Sequence, residues 1–319
     1  MNDLNRLIIN RLLAAWVTIS LVLAGLAGLY FAGASLVDPA AGTAQRRELA
    51  IVLAVVLGAV LLTTLALYPV ILALNKDVMR FSRDLLKANI ELMEVLGGAI
   101  AKRDSDTSVH NYRVTIYAVK LAEAAKLDAG AIRDLVAGAF LHDVGKIGIA
   151  DAILLKPGKL DAQEFATMKT HVELGLEILK KSQWLVRSKD VVGYHHEKVD
   201  GSGYPKGLRG DEIPAIARVF AIVDVFDALT SRRPYKEPMP IAQALAILRQ
   251  DAGSHFDARL LSTFEAIIEP LFAEINGLPD DAVEEKLRQL IESYFLGEGA
   301  KRAAAAASVS AIGTSAAGD

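Results

Sequence analysis

The stretch "IPAIARVFAIVDVFDALTS", residues 213–231, decides the fold class. It is apolar almost throughout, shows no strand-like alternation and is long enough for several helical turns. Such a segment reads as a helix buried on most sides within a domain core. Its two acids, Asp224 and Asp227, stand three apart and so share a face. Carboxylates on a buried helix are costly unless a cation or a partner meets them. The stretch therefore predicts a helical core and a site within it.

The flanking sequence extends this pattern. In "HNYRVTIYAVKLAEAAKL" (110–127) Val114, Tyr117, Ala118 and Leu121 fall on one face. "AGAIRDLVAGAFLHDVGK" (129–146) predicts a helix ending near Gly145. "DAQEFATMKTHVELGLEILKK" (161–181) predicts one opened by a capping box, with Asp161 as N-cap and Glu164 three residues on. Further helices are expected in "MPIAQALAILRQ" (239–250) and "DARLLSTFEAIIEPLF" (257–272). No alternating strand competes, so residues 104–295 are expected to form an all-α domain. The tail 296–319, rich in Ala, Ser and Gly, cannot bury a core and is expected to be disordered.

Hydrophobic residues make up 52% of the chain, which directs attention to a membrane part. Residues 12–37 and 49–74 are uncharged and each exceeds the roughly 20 residues needed to cross hydrocarbon. The first is also longer than the apolar core of a signal peptide. A transmembrane helical hairpin is therefore expected over 1–75, with the lipid bilayer as a partner. Pro69 is expected to kink the second span rather than end it. Arg6 and Arg11 precede the first span, and Lys76, Arg80, Arg83 and Lys87 follow the second. That placement favours both ends in the cytoplasm, as for a multi-pass protein of the inner membrane; Arg46 and Arg47 in the connecting loop count against it. Residues 76–103 continue as a linker helix, with Val78, Phe81, Leu85, Met93 and Leu96 at roughly helical spacing. Two roles stay open for it, a helix packed on its own domain and the stalk of a homodimer.

The net charge of −3 carries no basic excess, so a nucleic acid polymer is not an expected partner. Cysteine is absent, which excludes disulfides and thiolate metal sites. A metal would have to rest on His, Asp and Glu. The six histidines are His110, His142, His171, His195, His196 and His255. Adjacent helical residues diverge by about 100°, so His142 and Asp143 do not easily chelate one ion side by side. A carboxylate bridging two ions about 3.5–4 Å apart, with a histidine on each side, resolves this.

Seven motifs then occur in order: His110 to Val114, "LHDVGKIGI" (141–149), "ILLKPGKL" (153–160), "MKTHVELG" (168–175), "HHEKVDGSGYP" (195–205), "ARVFAIVDVFDALTSRRPYK" (217–236) and "GSHFD" (253–257). In this order they resemble the HD-GYP phosphodiesterases of the HD phosphohydrolase superfamily, over about 190 residues. The resemblance implies a helical bundle that hydrolyses cyclic di-GMP to linear pGpG, often onward to GMP, in second-messenger signalling. It implies metal ligands at His110, His142, Asp143, His171, His195, His196 and Asp224, with Asp143 bridging two divalent ions, iron or manganese. A third ion would use the acid four residues before the first histidine; here Asp106 stands where a glutamate is the better-known choice.

The same resemblance implies that Lys146 contacts the scissile phosphate, and that Arg233 and Lys236 hold the other phosphate or a guanine edge, with Arg232 an alternative to Arg233. Tyr204 is expected either to contact the nucleotide or to shape the pocket lip. Glu197 and Asp200 read as loop-fixing carboxylates and His255 as structural. Two other functions remain open: a receptor that binds cyclic di-GMP without turnover, and a phosphohydrolase for another cyclic dinucleotide.

Overall fold

The computed structural model describes residues 43–104, 108–232 and 237–297, together with positions 16, 19, 25 and 28. Apart from those four positions, the expected first span lies outside the described residues, as do the tail beyond Gly297, Asp106, Arg233 and Lys236.

The described residues are helical, with no strand and only two isolated bridges, Asp200–Arg209 and Ala252–Phe256. The helices are α1 (Thr43–Arg103), α2 (Ser108–Ala124), α3 (Ala129–Leu141), α4 (Asp151–Leu154), α5 (Ala162–Lys169), α6 (His171–Leu179), α7 (Lys189–Tyr194), α8 (Ala215–Thr230), α9 (Ile241–Gln250), α10 (Ala258–Asn276) and α11 (Asp280–Leu296). Short 3-10 turns occupy Val144–Gly148, Leu185–Ser188 and Gly210–Glu212.

The chain forms two compact units, residues 1–85 and 86–319. In the first, α1 runs unbroken through Pro69. Its most apolar window has a mean hydropathy of 2.8 with none of it buried, and the helix is long and apolar enough to cross a membrane by length and composition. Among the described residues it is the one such helix. Val78, Phe81 and Leu85 of the expected linker stripe are exposed.

The second unit is built around α2. Val114, Tyr117, Ala118 and Leu121 are fully buried, as their spacing predicts. Around them pack α3, α8, α10 and α11. Val114 and Leu121 each contribute about 1.5–3 kcal/mol through burial, and with four helices packed on it α2 is the centre of the core rather than a surface helix. The last turns of α1 belong to this unit. Leu86, Ile90, Met93 and Ile100 face its core at helical spacing. The expected stripe is therefore not buried along its length: Met93 is buried and Leu96 packs at the core edge, while Val78, Phe81 and Leu85 are exposed.

Two helix boundaries differ from expectation. The helix expected to run to near Gly145 ends at Leu141, and the chain tightens into the 3-10 turn Val144–Gly148. The helix expected over 161–181 is two helices, broken at Thr170. Its capping box is present: Asp161 accepts from the amides of Gln163 and Glu164, and Glu164 accepts from the amide of Asp161.

Candidate metal centre

Five of the six histidines converge. Neighbouring ring centroids lie 6.2 Å apart for His110–His142, 5.4 Å for His142–His195, 5.6 Å for His171–His195 and 4.0 Å for His195–His196. Phe220, 4.8 Å from the His142 ring, forms an apolar floor. Five elements supply the cluster: α2 gives His110, the end of α3 His142, the start of α6 His171, the end of α7 His195 and His196, and α8 Asp224.

Two groups of side chains can each hold a cation. One is Asp143, His171, His195 and His196; the other is His110, His142 and Asp224. Within each group the ligand atoms lie within 4.8 Å of one another. Asp143 joins the groups. Its Oδ1 is 3.5 Å from His171 Nε2 and 4.0 Å from His195 Nε2, while its Oδ2 is 3.0 Å from His142 Nε2. His142 keeps helical backbone angles (φ −51°, ψ −39°), and the chain leaves helical geometry at Asp143 (φ −100°, ψ 11°), which is why the two adjacent side chains both face the cluster.

Hydrogen bonding selects the ligand atoms. The Nδ1 atoms of His142, His171 and His195 pair with the carbonyls of Ala139, Met168 and Val191 at 2.8, 2.7 and 3.0 Å. A ring that donates through Nδ1 presents Nε2 as an acceptor. The Nε2 atoms of His171 and His195 are buried with no hydrogen-bond partner. Orphaned acceptors beside a carboxylate fit a cation, and this donor set of imidazoles and carboxylates suits divalent metals.

The electrostatics agree. Burial opposes the Asp143 charge, but Lys146 and His142 outweigh it and hold the carboxyl well below the usual carboxylate range. Burial pushes His171 down and His195 well down, and it takes His196 to about 4. These three are therefore neutral at neutral pH, the form in which an imidazole can bind a cation. Burial also opposes charge on His142, yet nearby Asp143 raises its pKa.

Supporting residues surround the cluster. Asp227 accepts from His110 Nδ1 at 2.7 Å and from Arg113 Nε at 2.7 Å. His110 Nε2 is thereby turned toward Asp224, 3.5 Å away. Lys146 donates to Asp143 at 2.8 Å and to Asp104 at 2.5 Å. Arg103, at the end of α1, donates to the carbonyls of Lys146, Ile147 and Ile149 and to Asp151 at 2.7–2.8 Å. Asp227 stood out in the sequence only as the companion of Asp224. Arg113 stood in the sequence as the arginine of the motif His110 to Val114, whereas Arg103 and Asp104 carried no local signal.

The loop after His196 wraps the mouth of the cluster. Tyr204 stacks on His196 at 4.7 Å and 27°. Glu197 is buried and accepts from the amides of Lys206 and Leu208 at 2.7 and 3.0 Å, so it braces the turn. Asp200 accepts from the Ser202 amide at 2.8 Å. A Cβ on Gly203 would come within 2.3 Å of the Lys198 nitrogen, so only glycine lets the loop fold back this closely. His255 lies outside the cluster, stacked on Phe256, and its carbonyl accepts from the Val199 amide. Arg232 is exposed beside Glu237, 3.5 Å away.

A helical bundle enclosing a paired His/Asp centre defines a class of metal-binding helical domains. The sequence matches the HD domain family over residues 94–260, and the chain belongs to that family. It is 43% identical over 200 residues to the 3'3'-cGAMP-specific phosphodiesterase 2 of Vibrio cholerae, covering 62% of this chain and 38% of that protein. It is 42% identical over 207 residues to a probable cyclic di-GMP phosphodiesterase of the same organism, covering 60% and 47%. A cyclic di-GMP phosphodiesterase of Thermotoga maritima is 39% identical over 176 residues, covering 54% and 48%. The chain thus spans half or less of the length of these curated relatives.

Proposed function

We propose that this chain is a membrane-anchored, metal-dependent phosphodiesterase that opens cyclic di-GMP to linear pGpG and carries it on to GMP. The observation that carries the reading is Asp143, whose two oxygens face two separate sets of imidazoles. A pair of divalent cations, iron or manganese in this reading, supplies Lewis acidity toward a phosphodiester and an acidified water. The chain's own residues do the rest. The neutral histidines and ionised Asp143 and Asp224 hold the cations. Lys146, tied to Asp143 and Asp104, presents an ammonium to the scissile phosphate. Tyr204 lines the path of the nucleotide, and Arg233 and Lys236 hold the other phosphate or a guanine edge. Asp106 is the ligand for a third ion.

Anchoring rests on the apolar part of α1 and on the uncharged stretch 12–37. Together they make a hairpin in the inner membrane, with the catalytic domain in the cytoplasm. Exposed Val78, Phe81 and Leu85 provide the contact of a homodimer through α1.

A second substrate reading, 3'3'-cGAMP, has its own support. A relative named as specific for it matches as well as those named for cyclic di-GMP. Both dinucleotides present a purine and a phosphodiester to the same cluster. Incubation of the detergent-purified chain with Mn(II), or anaerobically with Fe(II), followed by product chromatography on each substrate, tests the reading. Faster turnover of cyclic di-GMP is expected. Preferential loss of 3'3'-cGAMP moves the substrate assignment, and loss of neither removes the activity.

A further inference from the structure

One aromatic side chain near the centre has no role in the core. Phe165, on α5, is 48% exposed. Its ring meets Tyr204 at 6.3 Å and 83°. Lys169, one turn later on the same face, holds its ammonium 5.4 Å from the Phe165 ring centre and 5.8 Å from that of Tyr204. Tyr204 in turn stacks on His196 of the cluster. A continuous path of rings therefore leads from a metal-ligating imidazole to an open phenyl face with a cation beside it.

Helix α5 buries none of its residues fully, yet it is fixed at both ends. The capping box and a Lys156–Glu164 ion pair of 2.5 Å hold its start. At its end, the Met168 carbonyl pairs with Nδ1 of His171. The helix that carries Phe165 thus ends in the contact that orients a ligand of the cluster. An exposed phenyl held this way costs apolar hydration and offers a stacking face.

We infer that Phe165 and Lys169 form a second nucleotide subsite, in which Phe165 stacks on a purine of the cyclic dinucleotide and Lys169 meets the phosphate that is not cleaved. This deepens the proposed function and rests on it. A cyclic dinucleotide carries two purines and two phosphates. When one phosphate lies at the cluster, the remaining half of the ring needs a ring face and a cation, and these residues supply both. Stacking of this kind accepts adenine and guanine alike, because either base presents a π-face.

Kinetics of the metal-loaded full-length protein test this, using cyclic di-GMP, 3'3'-cGAMP and bis(4-nitrophenyl) phosphate, a diester without purines. F165A is expected to raise KM for the preferred dinucleotide roughly tenfold to a hundredfold, the range for loss of one base stack. Turnover of bis(4-nitrophenyl) phosphate and bound metal stay at wild-type levels. F165W restores KM and F165L does not. K169A raises KM and flattens its dependence on salt. An unchanged KM in F165A, equal losses on all substrates, or full rescue by F165L overturns the subsite while leaving the activity in place. Wild-type protein that cleaves bis(4-nitrophenyl) phosphate but neither dinucleotide overturns the proposed function, and the subsite with it.

Discussion

Asp227 grips His110 through Nδ1 at 2.7 Å, and that single contact decides which nitrogen His110 offers to the cluster. The carboxylate is almost wholly buried. Burial works against its charge, but the hydrogen bond to His110 and the pairing with Arg113 keep its pKa low. It is a positioning residue: its partner His110 belongs to a group able to hold a cation and it does not.

Replacing Asp227 by alanine strands two donors in the interior. Breaking a buried, hydrogen-bonded charge set of this kind costs about 3–5 kcal/mol, and loss of a residue that orients a metal ligand weakens metal binding about 10–100-fold. D227A is expected to show both effects, read from the melting temperature and from metal content after dialysis. D227N keeps the volume and one acceptor, so it should melt close to wild type but still lose metal. Full metal retention by D227N would remove the orienting role.

Arg103 closes the turn that carries Lys146. Its guanidinium holds three carbonyls of that turn and Asp151. The same last turns of α1 line a cavity with His110, His142 and Asp143. In R103A the turn loosens without losing a metal ligand. Misplacing a catalytic group by about 1 Å can cost as much as 100-fold, so kcat should fall by about tenfold or more. KM and bound metal should stay near wild type, and R103K should recover part of the loss by holding fewer carbonyls. Loss of metal in step with activity would contradict this division of roles.

Gly145 admits no side chain. A Cβ there would sit 1.8 Å from the His171 carbonyl oxygen and 2.5 Å from the Gly175 nitrogen, both backbone atoms that cannot step aside. Overpacking at such a contact costs about 3 kcal/mol or more, and in a domain of this size about 2–4 °C of melting temperature accompanies each kcal/mol. G145A should therefore melt some 6–12 °C lower. A wild-type melt would show that the 3-10 turn and α6 can separate at little cost.

Removing the metal tests the cluster directly. Ions that bind the folded state alone stabilise it by about 2.7 kcal/mol at a hundred times their dissociation constant. Chelation should lower the melting temperature by several degrees, and Mn(II) should restore it. D143A is expected to abolish this difference together with activity, since Asp143 faces both ligand groups. A chelator-sensitive melt in D143A would rule out the bridging position.

Much of the fold can be read from local pattern. The apolar run 213–231 becomes α8, which spans Ala215–Thr230. The spacing of Val114, Tyr117, Ala118 and Leu121 selects the buried face of α2, and Asp161 with Glu164 marks the start of α5. Residue identity and ordered motifs single out the histidines and acids of the cluster. Other features escape that reading. The break at Thr170 and the early end of α3 at Leu141 depend on where the turn Val144–Gly148 packs against α6. Asp227 meets residues 114 and 117 positions away, and Arg103 meets carbonyls more than forty positions away.

By itself, then, the sequence determined helical class, buried faces and the set of residues able to bind metal, because propensity and periodicity act over one or two turns. Which nitrogen each histidine presents, which carboxylate stands between the two groups, and which ring lies open at the mouth were decided only when distant helices packed. Those features depend on contacts between separate elements, and no short-range pattern encodes them.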